Sequence, residues 1–357
     1  MKWQEEEEHL LRLLIPTNTY TEIAVEFERR HEKGLPGFRV RRTGDAIRRK
    51  CSRDGITADT PYKDPYEDRW QRIKSMQQEY EMIAEKKNVG IVKDISRKIL
   101  TLSDIHFPFA LVGELRKAIE AHSDADIVVL NGDILDGYAF STYGRGRRIA
   151  ALKEYMAAFD FVKELSEKFE SVIIVSGNHD RRPAKALSRS DFEKEASQVL
   201  RPDLLARIAN GEMLNEFGEC VEVHDFSNVI YQQYDSWYVR VGKTIFCHPD
   251  AYYGSWPGQT VVKLCDYFSK RMGSDQFDSV VVGHTHRIYK GVVMNKLCIE
   301  QGAMASRMPY QHRADIRFPH AMNGYAVVYQ DAEGNTDFTE SRVYYLGSQL
   351  PPKKEIL

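Results

Sequence analysis

From residue 96 onward the sequence predicts an α/β fold, preceded by a small three-helix domain and a helical linker. Three observations carry that prediction. Short β-rich runs, IVVL (127–130), SVIIV (171–175), TIFC (244–247) and SVVV (279–282), alternate with helical stretches at 111–121, 146–169, 183–209 and 260–272. The runs are apolar throughout rather than alternating, which is how strands buried on both faces read. Each of them, together with Lys98 to Leu102, is followed within a few residues by carboxylate, imidazole or amide side chains.

Taken in order, residues 1–56 read as three helices: Trp3 to Leu14, Thr21 to His31, and Thr43 to Arg53. Thr21 is the expected cap of the second, because it precedes Glu22 and the apolar set Ile23, Ala24 and Phe27. Pro36 and Gly37 mark the turn before the third. Residues 57–95 read as a linker. Thr60 to Pro65 is a proline-containing loop, and Tyr66 to Lys87 a charged helix with Trp70, Ile73, Met76, Tyr80 and Ile83 at helical spacing, a packing stripe. Residues 96–357 form the third region. Its end, GYAVVYQDAEGNTDFTESRVYYL, reads as a hairpin turning at Glu333, Gly334 and Asn335.

The bulk numbers exclude several classes. Apolar content of 42% and charged content of 29% fit a globular protein with a substantial core, and a net charge of −2 gives no global field toward nucleic acid. The five cysteines, Cys51, Cys220, Cys247, Cys265 and Cys298, form no CxxC pair, which argues against a disulfide framework or a thiolate zinc site. The start, MKWQEEEEH, is acidic, unlike a signal peptide, and no run approaches the ~20 apolar residues of a membrane helix. The expected setting is cytoplasmic, with no membrane partner.

The residues that follow the strands point to metal chemistry. After KILTLS come Asp104 and His106; after IVVLN, Gly132, Asp133 and Asp136; after SVIIVS, Gly177, Asn178, His179 and Asp180. After TIFC come His248 and Asp250, and after SVVV come Gly283, His284 and His286. In open α/β sheets sites form at the carboxyl ends of strands. Glycine before a ligand lets the backbone approach closely, and in Asp-x-His or His-x-His alternate side chains of an extended chain project the same way. Alone, Asp-x-His is weak, being often a surface loop, and Gly-Asp is weaker still; Gly-Asn-His-Asp and Gly-His-Thr-His are moderately specific, although Gly-Asn is also ordinary turn chemistry. All five in order are specific. Mixed oxygen and nitrogen donors suit Mn²⁺, Fe or Zn²⁺, and two ions ~3.5–4 Å apart can clamp a phosphoryl group and activate a water.

The order Asp-x-His, Gly-Asp-x-x-Asp, Gly-Asn-His-Asp, His, Gly-His-x-His resembles the calcineurin-like metallophosphoesterase superfamily over residues about 97–345. The resemblance implies a two-sheet αββα sandwich with a dinuclear centre of two divalent ions, Mn²⁺ first, with Fe, Zn²⁺ or Mg²⁺ as alternatives. It implies that Asp104, His106 and His286 hold one ion, that Asn178, His248 and His284 hold the other, and that Asp133 bridges them. His179 would act on the leaving oxygen or the phosphate, Asp180 could orient His179, and Asp136 would tune ligand orientation. Pro249 stands where the family usually has glycine, so His224, in VEVHDF, is the rival to His248.

The superfamily includes protein phosphatases, nucleotide phosphodiesterases and DNA nucleases, so the substrate must be sought elsewhere. Segment 39–53, RVRRTGDAIRRKCSR, carries Arg39, Arg41, Arg42, Arg48, Arg49, Lys50 and Arg53 against one acid, Asp45. The compensating acids, Glu5 to Glu8, are distant in sequence. The early Trp, the acidic first helix and the basic third helix resemble Myb-like helix-turn-helix domains, which would make Arg41, Arg42, Arg48, Arg49, Lys50 and Arg53 DNA-binding. Near the site, Arg145, Arg147, Arg148, Arg181 and Arg182 are candidate phosphate-binding residues, and Arg287 adds further charge. Tyr252, Tyr253 and Trp256 either stack bases or pack a loop. The expected activity is therefore hydrolysis of DNA phosphodiester bonds, as a nuclease or end-processing enzyme. The alternative is a phosphatase for phosphoprotein, nucleotide or small phosphomonoesters, with residues 1–56 as a docking module. A non-enzymatic scaffold is disfavoured because no ligand block is missing.

Overall fold

The computed structural model describes residues 2–58, 70–75, 95–141, 150–188, 201–231, 237–250, 254–308 and 321–349. The chain divides into two compact units, Met1–Lys87 and Asn88–Leu357. Of the expected linker helix, residues 70–75 are helical, and the remainder lies mostly outside the described residues. Among the described residues, no helix is long and apolar enough to cross a membrane.

The first unit holds α1 (Glu5–Leu14), α2 (Tyr20–Glu32) and α3 (Gly44–Asp54). Thr19, not Thr21, caps α2: its hydroxyl accepts from Glu22 N, and the Glu22 carboxylate accepts from Thr19 N at 2.8 Å, a reciprocal box. Thr43 caps α3, which stops at Gly55 in the left-handed conformation. Leu10, Leu11, Ile23, Phe27, Phe38, Ile47 and Cys51 form the core between the helices.

The second unit is a four-layer αββα sandwich. One sheet contains β1 (Arg97–Leu102), β2 (Ile127–Asn131), β3 (Ser171–Val175), β6 (Val229–Tyr231), β12 (Met322–Gln330) and β13 (Arg342–Ser348), in the order β13-β12-β1-β2-β3-β6. β1, β2, β3 and β6 run parallel. The second sheet contains β7 (Tyr238–Val241), β8 (Thr244–Cys247), β9 (Ser279–Val282), β10 (Ile288–Val293) and β11 (Lys296–Gln301), in the order β10-β11-β9-β8-β7. A small ribbon pairs β4 (Glu212–Leu214) with β5 (Cys220–Val223).

Strand alternation assigns each side chain to a layer. Leu100, Leu102, Val128, Leu130, Val172 and Ile174 meet α4 (Val112–Ala121) and α5 (Ala151–Lys168). Ile99, Val129, Ile173 and Val175 meet Phe246, Val281, Leu297 and Ile299 of the other sheet. Ile245, Val280, Val282 and Cys298 meet Val261, Leu264, Cys265 and Phe268 of α8 (Gln259–Met272). At ~1.5–3 kcal/mol for each large apolar side chain buried, these three clusters fix which way every ligand loop leaves its strand.

Two expectations change. The stretch 183–209 is not one helix: α6 (Arg182–Ser188) and α7 (Leu204–Ala209) are separate, with 189–200 outside the described residues. Pro202 disfavours the helical conformation at Arg201, which has φ +46°, and Asp203 caps α7 by accepting from Ala206 N. The terminal hairpin forms, but 331–341 join its strands, with Asp331 Oδ1 accepting from Asn335 N at 2.7 Å.

Candidate metal centre

Five loops, following β1, β2, β3, β8 and β9, converge at the carboxyl ends of the parallel strands. They hold one another through the backbone. Asp104 N donates to Gly132 O at 3.0 Å and His106 N to Asp133 O at 2.9 Å. His179 N donates to Asp133 Oδ1 at 2.7 Å, and His284 N to both Asp104 oxygens at 3.1 and 2.9 Å. Five of these residues are left-handed: Asp104 (φ +53°), His106 (+50°), Asp133 (+53°), His284 (+70°) and His286 (+50°). Each costs about 1–3 kcal/mol and persists because the surrounding sandwich over-determines it. Glycine is required where loops touch: a Cβ on Gly177 would come within 2.2 Å of Asp133 Oδ1, and one on Gly283 within 2.1 Å of Ser103 Oγ.

Three overlapping groups of donor atoms result, Asp104–His106–His286, His106–Asp133–His179 and Asp133–His248–His284, the atoms of each within 4.8 Å of one another. His286 Nε2 lies 3.1 Å from Asp104 Oδ1, and His248 Nε2 lies 3.1 Å from Asp133 Oδ2. Asp133 Oδ2 is also 3.8 Å from His106 Nε2, so one carboxylate links His106 to the His248–His284 pair. His248 Nδ1 is 2.8 Å from Asn131 O, which assigns a proton to Nδ1 and aims Nε2 at Asp133. Asn178 Oδ1 is buried with no hydrogen-bond donor among the described residues. An amide oxygen so placed, in a set of carboxylates and imidazoles, fits a divalent cation.

The electrostatics agree. Burial pushes the Asp104 carboxyl up, but His286, His248 and His106 outweigh it and hold it well below the usual range. Asp133 and Asp136 behave likewise, through His248 and His179 and through His106 and His179 respectively. In return, and against burial, Asp104 and Asp136 push His106 up to about 10, and Asp133 and Asp104 push His248 up to about 9. Three buried carboxylates thus gather positive charge, which bound cations would supply in place of protons.

Asp136, rather than Asp180, holds His179: its Oδ1 is 3.1 Å from His179 Nδ1 and 3.2 Å from His106 Nδ1. The Asp180 carboxylate instead accepts from Leu135 N and Gly177 N, both at 2.8 Å, and so staples two ligand loops. Arg182 Nη1 donates to Asp136 O at 2.7 Å, and its Nη2 is 3.1 Å from His179 Nε2. Arg181 points elsewhere: it is buried, donates to Gly177 O and pairs with Asp250, which removes it from the expected phosphate set. Arg145, Arg147, Arg148, Tyr252 and Tyr253 lie outside the described residues. Trp256 is largely exposed, while Arg287 turns inward to Gly254 O. His224, the rival ligand, packs against Phe159 and Phe226 and belongs to none of the donor groups.

In the first unit the basic helix is partly neutralised from within. Arg42 is buried and forms a two-bond pair with Glu7 at 2.9 and 2.7 Å, stacked over Trp3. Lys50 is buried and pairs with Glu8 and, at 2.6 Å, with Asp54. Arg42 and Lys50 therefore leave the expected DNA-contacting set, because folding brings the sequence-distant acids of α1 onto α3. Arg41, Arg48 and Arg53 are exposed beside Glu28, Asp45 and Asp54, and Arg39 and Arg49 are exposed as well.

Sequence reasoning missed Glu154, whose carboxylate accepts from Gly137 N and Tyr138 N beside Asp136. A signal was present: Glu154, Tyr155, Ala158, Phe159, Val162 and Leu165 form the inward stripe of α5, and a carboxylate within such a stripe is out of place.

Comparison with known proteins places this architecture. The calcineurin-like phosphoesterase family profile matches residues 97–287. Among solved structures, an archaeal phosphodiesterase is 17% identical, with 70% of this chain and 99% of that chain covered and a TM-score of 0.35. Vacuolar protein sorting 29 from Cryptosporidium parvum is 15% identical, with 71% and 100% covered and a TM-score of 0.35. A hypothetical protein from Pyrococcus horikoshii is 11% identical, with 72% and 89% covered and a TM-score of 0.40. The search of curated proteins found no match. With the family's profile spanning every ligand loop from Asp104 to His286, this chain belongs to the calcineurin-like phosphoesterases.

Proposed function

We propose that the chain is a two-metal phosphoesterase acting on DNA phosphodiester bonds. The observation that carries the hydrolase reading is the convergence of five strand-end loops on these overlapping donor groups. Asp104, His106 and His286 would hold one ion and Asn178, His248 and His284 the other, with Asp133 between them; Mn²⁺ is the first choice, with Fe, Zn²⁺ and Mg²⁺ as alternatives. When bound, such ions supply Lewis acidity toward a phosphoryl oxygen and lower the pKa of a water.

The protein's own groups divide by exposure. The side chains of Asp104, Asp136 and His248 are 0% exposed, whereas those of His179, His286 and Arg182 are 13%, 13% and 15% exposed. The substrate therefore meets His179 and Arg182. Arg182 neutralises charge on the phosphoryl oxygens. Asp136 at His179 Nδ1 accepts the proton of that nitrogen and so leaves Nε2, beside Arg182 Nη2, as the nitrogen that can take up a proton and pass it to the leaving oxygen.

The DNA assignment rests on the exposed Arg39, Arg41, Arg48, Arg49 and Arg53, which suit a phosphate backbone. One observation favours a second reading, a phosphomonoesterase with residues 1–56 as a docking module: Arg42 and Lys50 are internal. Duplex DNA, single-stranded DNA and p-nitrophenyl phosphate should be compared with Mn²⁺, using the full chain and a variant with those five arginines changed to alanine. The proposal expects metal-dependent DNA cleavage, and DNA binding weakened about tenfold or more in the variant at fixed salt, with monoester turnover unchanged. Intact DNA beside rapid monoester hydrolysis would establish the second reading instead.

A further inference from the structure

The catalytic histidine is held by a carboxylate, and that carboxylate sits on a turn with an anchor of its own. Asp136 is fully buried; its Oδ1 is hydrogen-bonded to His179 Nδ1 at 3.1 Å and lies 3.2 Å from His106 Nδ1. Directly after it the chain enters a left-handed glycine, Gly137 (φ +61°), and a short 3-10 turn, Tyr138–Phe140. Such a turn exposes backbone N–H groups that need acceptors. Glu154, on α5, supplies both: Oε2 accepts from Gly137 N at 2.7 Å and Oε1 from Tyr138 N at 3.0 Å.

Glu154 is 2% exposed, in a helix face otherwise made of Tyr155, Ala158, Phe159, Val162 and Leu165. Burial, with the charge of Asp136 nearby, pushes its carboxyl up to about 8. A buried acid beside another buried acid is costly unless geometry demands it. Arg182 lies near both, 3.3 Å from Asp136 Oδ2 and close enough to Glu154 to ease its burial.

We infer that Glu154 is a positioning residue for the centre: by clamping the Gly137–Tyr138 turn it fixes Asp136 against His106 and His179. The inference rests on the reading of His106 as a metal ligand and His179 as the group at the leaving oxygen. Its reach is specific. Loss of the clamp lets Asp136 drift, so His106 loses the carboxylate 3.2 Å from its Nδ1 and His179 the acceptor that holds its Nδ1 proton and its ring. Ligand-orienting carboxylates of this kind are worth ~10–100-fold in metal affinity or activity.

The test uses the full chain with Glu154→Gln, Glu154→Ala and, as a core control on the same helix, Phe159→Leu. Mn²⁺ is titrated into the metal-stripped proteins by calorimetry, and kcat and KM are measured on bis-p-nitrophenyl phosphate at saturating Mn²⁺. Glu154→Gln preserves shape but sets an NH₂ against one of the two N–H groups. It should weaken one Mn²⁺-binding step ~10–100-fold and lower kcat by a similar factor, with KM within about twofold. Glu154→Ala should do the same or more, and Phe159→Leu should lower Tm and leave Mn²⁺ binding and kcat in place. Mn²⁺ binding and kcat within twofold of wild type in a folded Glu154→Gln protein would overturn the inference. If wild type binds Mn²⁺ but hydrolyses nothing, the phosphoesterase reading fails, while the binding isotherms still decide the role of Glu154.

Discussion

His248 and His224 differ in their surroundings, and those surroundings favour His248 as the proposed ligand. His248 follows a fully buried strand and has its Nδ1 tied to Asn131 O, leaving Nε2 aimed at Asp133. His224 leaves an exposed strand and rests on aromatic rings. His248→Ala should therefore cost one bound metal per chain by elemental analysis, and His224→Ala none. Arg42 gives a second residue-scale prediction. Its removal strands Glu7, which is 0% exposed, so Arg42→Ala should destabilise the first unit by ~3–5 kcal/mol in denaturant melts. Arg49→Ala, at an exposed position, should fall within about 0.5 kcal/mol of wild type.

At the scale of elements, α5 carries a conflict between stability and function. Glu154 has its carboxyl pushed up to about 8 from an ordinary 4.5, so the folded state prefers it protonated. The sign follows: no cost below about pH 4.5, a cost that grows as pH rises toward 8, and the full cost above it. In the metal-stripped protein, Glu154→Gln should therefore gain stability relative to wild type between pH 5 and pH 9, by on the order of 1–3 kcal/mol. A Tm difference that does not change with pH would contradict this. Elements such as β1, β2, β3, β8 and β9 were legible because a continuous apolar run, buried on both faces, has no polar face to hide. α3 was legible through the Pro36-Gly37 turn ahead of it, but the partners of the basic segment were not: Glu7 and Glu8 of α1 reach Arg42 and Lys50 only through folding. The split of 183–209 was signalled by Pro202 and Asp203 and lost to the helical composition around them.

For the whole molecule, the ligand blocks lie far apart in sequence, from Asp104 to His286, and one sandwich brings their loops to one edge. That much the spacing of strand and ligand revealed, because the carboxyl ends of parallel strands point the same way. What it could not reveal is which polar residue serves which. Asp180 looked like the partner of His179 from its adjacency, yet backbone geometry gives it to Leu135 and Gly177 and gives His179 to Asp136. The left-handed backbone at Asp104, His106, Asp133, His284 and His286 stores strain that the sandwich sustains. Destabilising the sandwich should loosen the centre before it unfolds the chain.

The central claim is that these loops form one two-metal hydrolytic centre. The measurement that tests it most directly is titration of metal-stripped protein with Mn²⁺ while following hydrolysis of bis-p-nitrophenyl phosphate. The account predicts no turnover without metal and a rise to a plateau near two equivalents, abolished in Asp133→Asn. Turnover that is independent of metal, or its absence at saturating Mn²⁺ in a folded protein, would contradict it.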